Sequence, residues 1–123
     1  MTPITVLVCD DALFMRTMLR AILTAGEYEI VGEAENGRDA VEMYSRLRPD
    51  LVLMDMVMPH MGGLDAVKEI RSLDPNARVL MCSAMGQQQL VDEAIAAGAL
   101  GFVTKPFTPD HVLDAIAELG MAA

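Results

Sequence analysis

The chain has 123 residues, so we expect one domain spanning residues 1–123 and no separate output domain within it. Its 18 acidic and 9 basic residues give a net charge of -9 at pH 7, so it lacks the basic surface that binding to nucleic acid or an anionic membrane requires. No stretch approaches the ~20 apolar residues of a membrane span, and no basic region precedes the first apolar run, so we expect a cytoplasmic protein without membrane insertion.

Five apolar runs alternate with stretches of helical periodicity, which indicates an α/β domain with a parallel sheet. The predicted strands cover residues 4–9, 29–33, 51–55, 78–82 and 100–104. The predicted helices cover residues 12–25, 37–47, 63–73, 87–97 and 109–119. The last helix has a well-formed start, because Thr108 can cap it and Pro109 suits its first position.

Polar side chains stand at or just after the ends of four of these apolar runs. Asp10 and Asp11 follow the first run, Asp55 the third, Ser83 the fourth and Lys105 the fifth. The carboxyl ends of strands in an open parallel sheet gather in one crevice. We therefore expect three carboxylates, a hydroxyl and an ammonium group at one site.

The chemistry of such a site favours a divalent cation. Two carboxylates ~4 Å apart repel by about 4 kcal/mol at an effective dielectric near 20, so three of them are strained without a cation. Mg²⁺ prefers oxygen ligands and keeps several waters, which suits a shallow acidic crevice that also receives phosphate oxygens. A carboxylate such as Asp55 can attack phosphorus while Lys105 neutralises the charge of the transferred group.

The residues and their order resemble the receiver domain of two-component response regulators, from about residue 4 to residue 120. The motifs that carry the resemblance are Asp10-Asp11, Asp55 followed by Met-Val-Met-Pro, Ser83-Ala84 and Lys105-Pro106-Phe107. The stretches 10–16 and 83–88 are most similar to CheY-type chemotaxis regulators. The resemblance implies a doubly wound five-stranded parallel sheet of order 2-1-3-4-5, the flavodoxin-like three-layer α/β/α fold.

The resemblance also implies the roles of the acidic residues. Asp55 would be the phosphoacceptor and would ligate Mg²⁺ directly together with Asp11. Asp10 would bind the ion through water, and the backbone carbonyl of Val57 would supply another ligand.

A conformational switch is implied by the same resemblance. Lys105 would reach the phosphoryl group, with a cis bond before Pro106, and Ser83 would donate to a phosphoryl oxygen and pull its loop inward. Phe102 occupies the aromatic switch position of the family. A mobile ring and a static core ring both remain open for Phe102.

The implied function is signalling rather than enzymatic turnover, with intrinsic autophosphorylation and autodephosphorylation. A CheA-like sensor histidine kinase would donate the phosphoryl group, and a target such as a flagellar motor switch protein would bind the phosphorylated protein. A phosphatase is a third candidate partner. The protein itself is expected to be a monomer. A phosphorelay intermediate and a receiver excised from a larger regulator remain alternatives. An aspartyl-phosphate phosphohydrolase is disfavoured because Val57 stands where such enzymes carry a second acid. A flavin-binding module is disfavoured because Asp10 and Asp11 would repel phosphate.

Two further expectations concern stability of the phosphoryl group and the thiols. Val57 and Met85 flank the approach of water in the family, and neither side chain can orient water, so we predict slow dephosphorylation. In the implied strand order a third strand separates Cys9 from Cys82, a spacing too wide for a disulfide. We therefore predict two free thiols.

Overall fold

Five strands and five helices alternate in the computed structural model, which describes residues 2–123. The strands are β1 (Thr5–Cys9), β2 (Glu29–Ala34), β3 (Leu51–Asp55), β4 (Val79–Ser83) and β5 (Gly101–Thr104). The helices are α1 (Leu13–Ala25), α2 (Gly37–Leu47), α3 (Gly63–Leu73), α4 (Gln88–Ala96) and α5 (Pro109–Glu118). Within residues 2–123, no helix has both the length and the apolar character that crossing a bilayer requires.

Neighbouring strands all pair in parallel, in the order β2-β1-β3-β4-β5. The predicted doubly wound sheet and its strand order are confirmed. Helices α1 and α5 cover one face of the sheet, and α2, α3 and α4 cover the other, so the core consists of two apolar layers. Because the strands are parallel, their carboxyl ends all lie at one edge of the sheet.

The central strands β1, β3 and β4 are buried on both faces. On β1, Leu7 and Cys9 pack under α2, α3 and α4, whereas Val6 and Val8 pack under α1 and α5. Successive side chains of a strand point to opposite faces, so a strand covered on both sides needs apolar residues throughout. Polar side chains are consequently displaced to the strand ends, where they can meet one another and solvent.

The observed bounds of the elements differ from the predicted ones by no more than one residue. Strand β4 extends to Ser83, and α4 begins at Gln88 because Gln87, with φ -101° and ψ 21°, is not helical. The predicted cap of α5 is confirmed: Thr108 Oγ1 accepts the His111 N–H at 3.2 Å. His111 completes a capping box, because its Nδ1 accepts the Thr108 N–H at 3.3 Å.

The two cysteines are free and buried, as predicted. Cys9 lies on β1 and Cys82 on β4, with β3 between them. Burial raises the pKa of Cys9 and raises the pKa of Cys82 to about 12. Both side chains therefore remain neutral thiols at physiological pH and act as small apolar groups in the core.

Candidate functional site

The carboxyl edge of the sheet gathers the predicted site residues. Asp10 follows β1, Asp55 ends β3, Ser83 ends β4, and Lys105 follows β5. Carboxylate oxygens of Asp10, Asp11 and Asp55 lie within 4.8 Å of one another. Asp10, Asp55 and Ser83 are buried, whereas Asp11 is exposed. The structure thus forms an acidic crevice, defined here by Asp10, Asp11 and Asp55, with one carboxylate open to solvent.

The position of Asp55 is set by the backbone around the end of β3. Asp55 pairs in register with Cys82 on β4, and the Met56 N–H donates to the Cys82 carbonyl at 3.1 Å. On the other side, the start of α3 packs directly against Asp55, since a Cβ on Gly63 would lie 2.1 Å from the Asp55 carbonyl oxygen. Glycine is therefore required at residue 63 for this close approach.

Lys105 joins two of the three carboxylates. Its Nζ donates to Asp10 Oδ2 at 2.9 Å and to Asp55 Oδ1 at 3.0 Å. The following peptide bond, Lys105-Pro106, is cis, as the family resemblance predicted. The Lys105 N–H also donates to the Ser83 carbonyl at 2.7 Å, which ties the end of β4 to the residue that carries the ammonium group.

The electrostatic environment of Asp55 disfavours its charged form. Burial raises the pKa of Asp55, the hydrogen bond from Lys105 opposes this effect, and the negative charges of Asp10 and Asp11 raise the pKa further. Burial by itself would lower the pKa of Lys105, but its hydrogen bonds to Asp10 and Asp55 raise it above the ordinary value. One ammonium group among three carboxylates leaves an excess of negative charge that a cation would neutralise.

Arg16 is a residue of this region that the sequence reasoning missed. The residue is only 7% exposed, and Nη1 donates to the Asp10 carbonyl at 2.8 Å. Nε donates to Glu33 at 3.1 Å and Nη2 to Glu35 at 3.4 Å. Arg16 therefore fixes the backbone of Asp10 and links it to the end of β2. The sequence did carry one indication of its burial: Arg16 is three residues from the core residue Leu19, so the two share one face of the helix.

The remaining predicted residues lie around the acidic crevice rather than in it. Val57 is 57% exposed and Met85 is 82% exposed. Phe102 is 42% exposed and pairs with Met81, two residues before the end of β4. Phe102 lies on β5, an edge strand of the sheet, and its partial exposure leaves both the mobile ring and the static ring as predictions. The switching role of Phe102 and the Val57 carbonyl ligand remain predictions.

The acidic crevice fits a hard divalent cation. All three groups offer carboxylate oxygens, the ligands that Mg²⁺ prefers, and their mutual distances allow one ion to reach more than one of them. The exposed Asp11 leaves room for the waters that Mg²⁺ keeps. The site and the doubly wound sheet together define the class of CheY-like α/β proteins with an acidic site at the carboxyl edge.

Comparison with known proteins gives the family. Residues 6–117 match the family model described as the response regulator receiver domain, and the chain belongs to this family. It is therefore the receiver domain of a two-component response regulator.

The most similar curated relatives include two chemotaxis proteins CheY. That of Thermotoga maritima is 58% identical over 111 residues, which cover 90% of this chain and 92% of the relative. That of Bacillus subtilis is 55% identical over 111 residues, with the same shares covered. Among solved structures, a Borrelia burgdorferi complex of CheX, CheY, BeF₃ and Mg²⁺ matches with a TM-score of 0.92 and 35% identity, covering 96% of this chain and 90% of that one.

Proposed function

We propose that this receiver accepts a phosphoryl group on Asp55 from a phosphohistidine of a sensor kinase and then binds a target protein in chemotaxis. The observation that carries the proposal is the placement of a buried carboxylate, Asp55, in an acidic crevice and 3.0 Å from the Nζ atom of Lys105. A buried carboxylate among like charges has a strained ground state, and a paired ammonium group is available to the oxygens of an incoming phosphoryl group.

In the proposed reaction an Asp55 carboxylate oxygen attacks phosphorus. A bond forms between that oxygen and phosphorus, the bond from phosphorus to the histidine nitrogen breaks, and the nitrogen retains the electron pair. Lys105 neutralises charge on the phosphoryl oxygens from the position in which it now contacts Asp10 and Asp55. Hydrolysis of the resulting acyl phosphate regenerates the Asp55 carboxylate and releases phosphate.

Asp10, Asp11 and Asp55, with the Val57 carbonyl, would hold Mg²⁺ in this reaction. The ion would neutralise the carboxylates and the oxygens of the transferred group. Arg16 supports this arrangement, because its hydrogen bond to the Asp10 carbonyl fixes the backbone that carries Asp10 and Asp11.

The change of charge at Asp55 is proposed to act on the end of β4. Ser83 is buried beside Asp55 at the same sheet edge, and its hydroxyl is a suitable donor to a phosphoryl oxygen. Movement of Ser83 toward that oxygen would alter the surface next to β5, where Phe102 is already partly exposed. The sheet itself, with its double apolar core, stays rigid, so the change is confined to the loops.

Chemotaxis is favoured by the relatives, because CheY proteins cover most of this chain at more than half identity. The proposed partners are a CheA-like sensor kinase, a flagellar motor switch protein and a phosphatase. We further propose that residues 1–123 act as a single domain in the cytoplasm.

The test is phosphoryl labelling by acetyl phosphate with Mg²⁺ present. Asp55→Asn keeps the size and polarity of the side chain but removes the nucleophile, so labelling should disappear. Asp114→Asn, which changes an exposed carboxylate on α5, is the matched control and should label like the wild type. Undiminished labelling of the Asp55→Asn protein would refute the assignment of the phosphoacceptor.

The pathway is tested separately by capture of partners on wild-type protein loaded with Mg²⁺ and beryllofluoride. We expect the loaded wild-type protein to retain a purified flagellar motor switch protein. The Asp55→Asn control should not retain it. Equal retention by both forms would contradict a phosphorylation-dependent role in chemotaxis.

A further inference from the structure

The loop between β4 and α4 contains a hydrogen bond that the proposed reaction does not use. The side-chain Oε1 of Gln87 accepts the backbone N–H of Ala84 at 2.7 Å. Gly86 has φ 86°, in the left-handed region, and this conformation turns the chain back so that Gln87 can reach Ala84. Gln87 is half-buried and precedes the first residue of α4. The loop is thus closed on itself by a glutamine amide.

The Ala84 N–H belongs to the peptide group that joins Ser83 to Ala84. The carbonyl of the same peptide group accepts the Lys105 N–H at 2.7 Å. The peptide plane directly after Ser83 is therefore held from both sides, by Lys105 through its oxygen and by Gln87 through its nitrogen. A movement of Ser83 that tilts this plane would strain the contact with Gln87.

The same peptide group lies at the edge where an anion on Asp55 would arrive. Asp55 is in register with Cys82, so Ser83 and Ala84 continue β4 past the end of β3. A backbone N–H at such an edge is a donor to anions. In the present structure the neutral amide oxygen of Gln87 occupies this donor. A charged phosphoryl oxygen is the stronger acceptor but has to displace it.

We propose that Gln87 is a positioning residue that holds the Ser83–Ala84 peptide in the resting orientation and lowers the affinity of the site for a tetrahedral anion on Asp55. The inference rests on the proposed function of Asp55. Gln87 acts only through the Ala84 N–H, and its side chain is placed on the loop rather than among the carboxylates. It should therefore change anion affinity without changing Mg²⁺ affinity.

The test uses Gln87→Met, which keeps an unbranched side chain of similar length but removes the acceptor. Beryllofluoride binding with Mg²⁺ saturating, followed by NMR, should become about fivefold tighter, the effect expected when one ordinary hydrogen bond no longer opposes binding. Without ligand, the Ala84 amide should exchange with solvent faster than in the wild type. Gln87→Glu keeps an acceptor oxygen and should restore slow exchange at Ala84.

Gln88→Met is the matched control. The Gln88 side chain donates to Asp92 Oδ1 at 2.8 Å along α4 and does not close the loop. It should leave both beryllofluoride affinity and exchange at Ala84 as in the wild type.

Two failures are distinguishable. If wild-type protein binds no beryllofluoride at Asp55, the proposed function fails and this inference fails with it. If wild-type protein binds beryllofluoride but Gln87→Met binds with equal affinity, or Gln88→Met gains as much, only the role of Gln87 is overturned.

Discussion

In the absence of Mg²⁺, Asp55→Asn should make the folded protein more stable. Carboxylate oxygens of Asp10 and Asp11 lie within 4.8 Å of Asp55, and at an effective dielectric near 20 each such pair repels by about 3.5 kcal/mol. The Lys105 ammonium, 3.0 Å away, attracts Asp55 by about 5.5 kcal/mol on the same scale. Two repulsions exceed one attraction by about 1.5 kcal/mol. Burial of the charge adds to this excess, while solvent around the exposed Asp11 reduces it.

The assay is urea unfolding in the presence of a chelator. The free energy of unfolding of Asp55→Asn should exceed that of the wild type by about 1–2 kcal/mol. In thermal unfolding, the same difference corresponds to a rise of a few degrees in Tm for a domain of this size. Saturating Mg²⁺ should remove or reverse the difference, because a ligand at 100 times its Kd adds about 2.7 kcal/mol to the protein that binds it. Asp114→Asn should resemble the wild type in both conditions.

The raised pKa of Asp55 fixes the direction in which the free energy of unfolding changes with pH. The folded-state pKa of Asp55 is raised above its ordinary value of 3.8. Protonation of Asp55 therefore stabilises the folded state, and this contribution is complete at pH values below the ordinary pKa. This contribution is lost as pH rises through the raised folded-state pKa. In chelator, the free energy of unfolding of Asp55→Asn should therefore exceed that of the wild type by an amount that grows with pH between the ordinary and the raised pKa. Above the raised pKa this difference should be constant. A variant less stable than the wild type at neutral pH in chelator would refute the reasoning.

Three other perturbations test the site and the fold. Lys105→Ala should retain part of the phosphoryl labelling but lose phosphorylation-dependent binding of a flagellar motor switch protein, and binding as tight as that of phosphorylated wild type would exclude a transmitting role. Cys9 and Cys82 should react slowly with a thiol reagent in the native protein, and titration of the denatured, unreduced protein should find two thiols; finding none would contradict the strand order. Val57→Asn combined with Met85→Glu should speed dephosphorylation about fivefold, or ~1 kcal/mol in barrier, and unchanged decay of the label would show that these positions do not set the lifetime.

The sequence predicted the sheet and the members of the acidic crevice because both follow from local pattern. A strand buried on both faces has to be apolar throughout, so the strand ends are visible as the first polar residues after each run. Asp55 and Ser83 were found in this way, and parallel strands bring such residues to one edge whatever the details of packing. Thr108 was recognised as a cap for a similarly local reason.

Other features were decided by tertiary structure. The hydrogen bonds of Lys105 to Asp10 and Asp55 join residues 95 and 50 positions apart, and no local pattern indicates which carboxylates share one ammonium group. Arg16 lies within a predicted helix, and only the fold brings its side chain to the Asp10 carbonyl.

The exposure of Phe102 and the hydrogen bond of Gln87 were also decided by tertiary structure. The apolar run that contains Phe102 predicted a strand, but its exposure follows from the position of β5 at the sheet edge. The contact of Gln87 with Ala84 depends on the conformation of Gly86. The sequence by itself determined periodicity and the chemistry available at strand ends, since these depend on neighbours along the chain. Burial, pairing of charges and the hydrogen bonds of the loop depend on neighbours in space, which only the folded chain supplies.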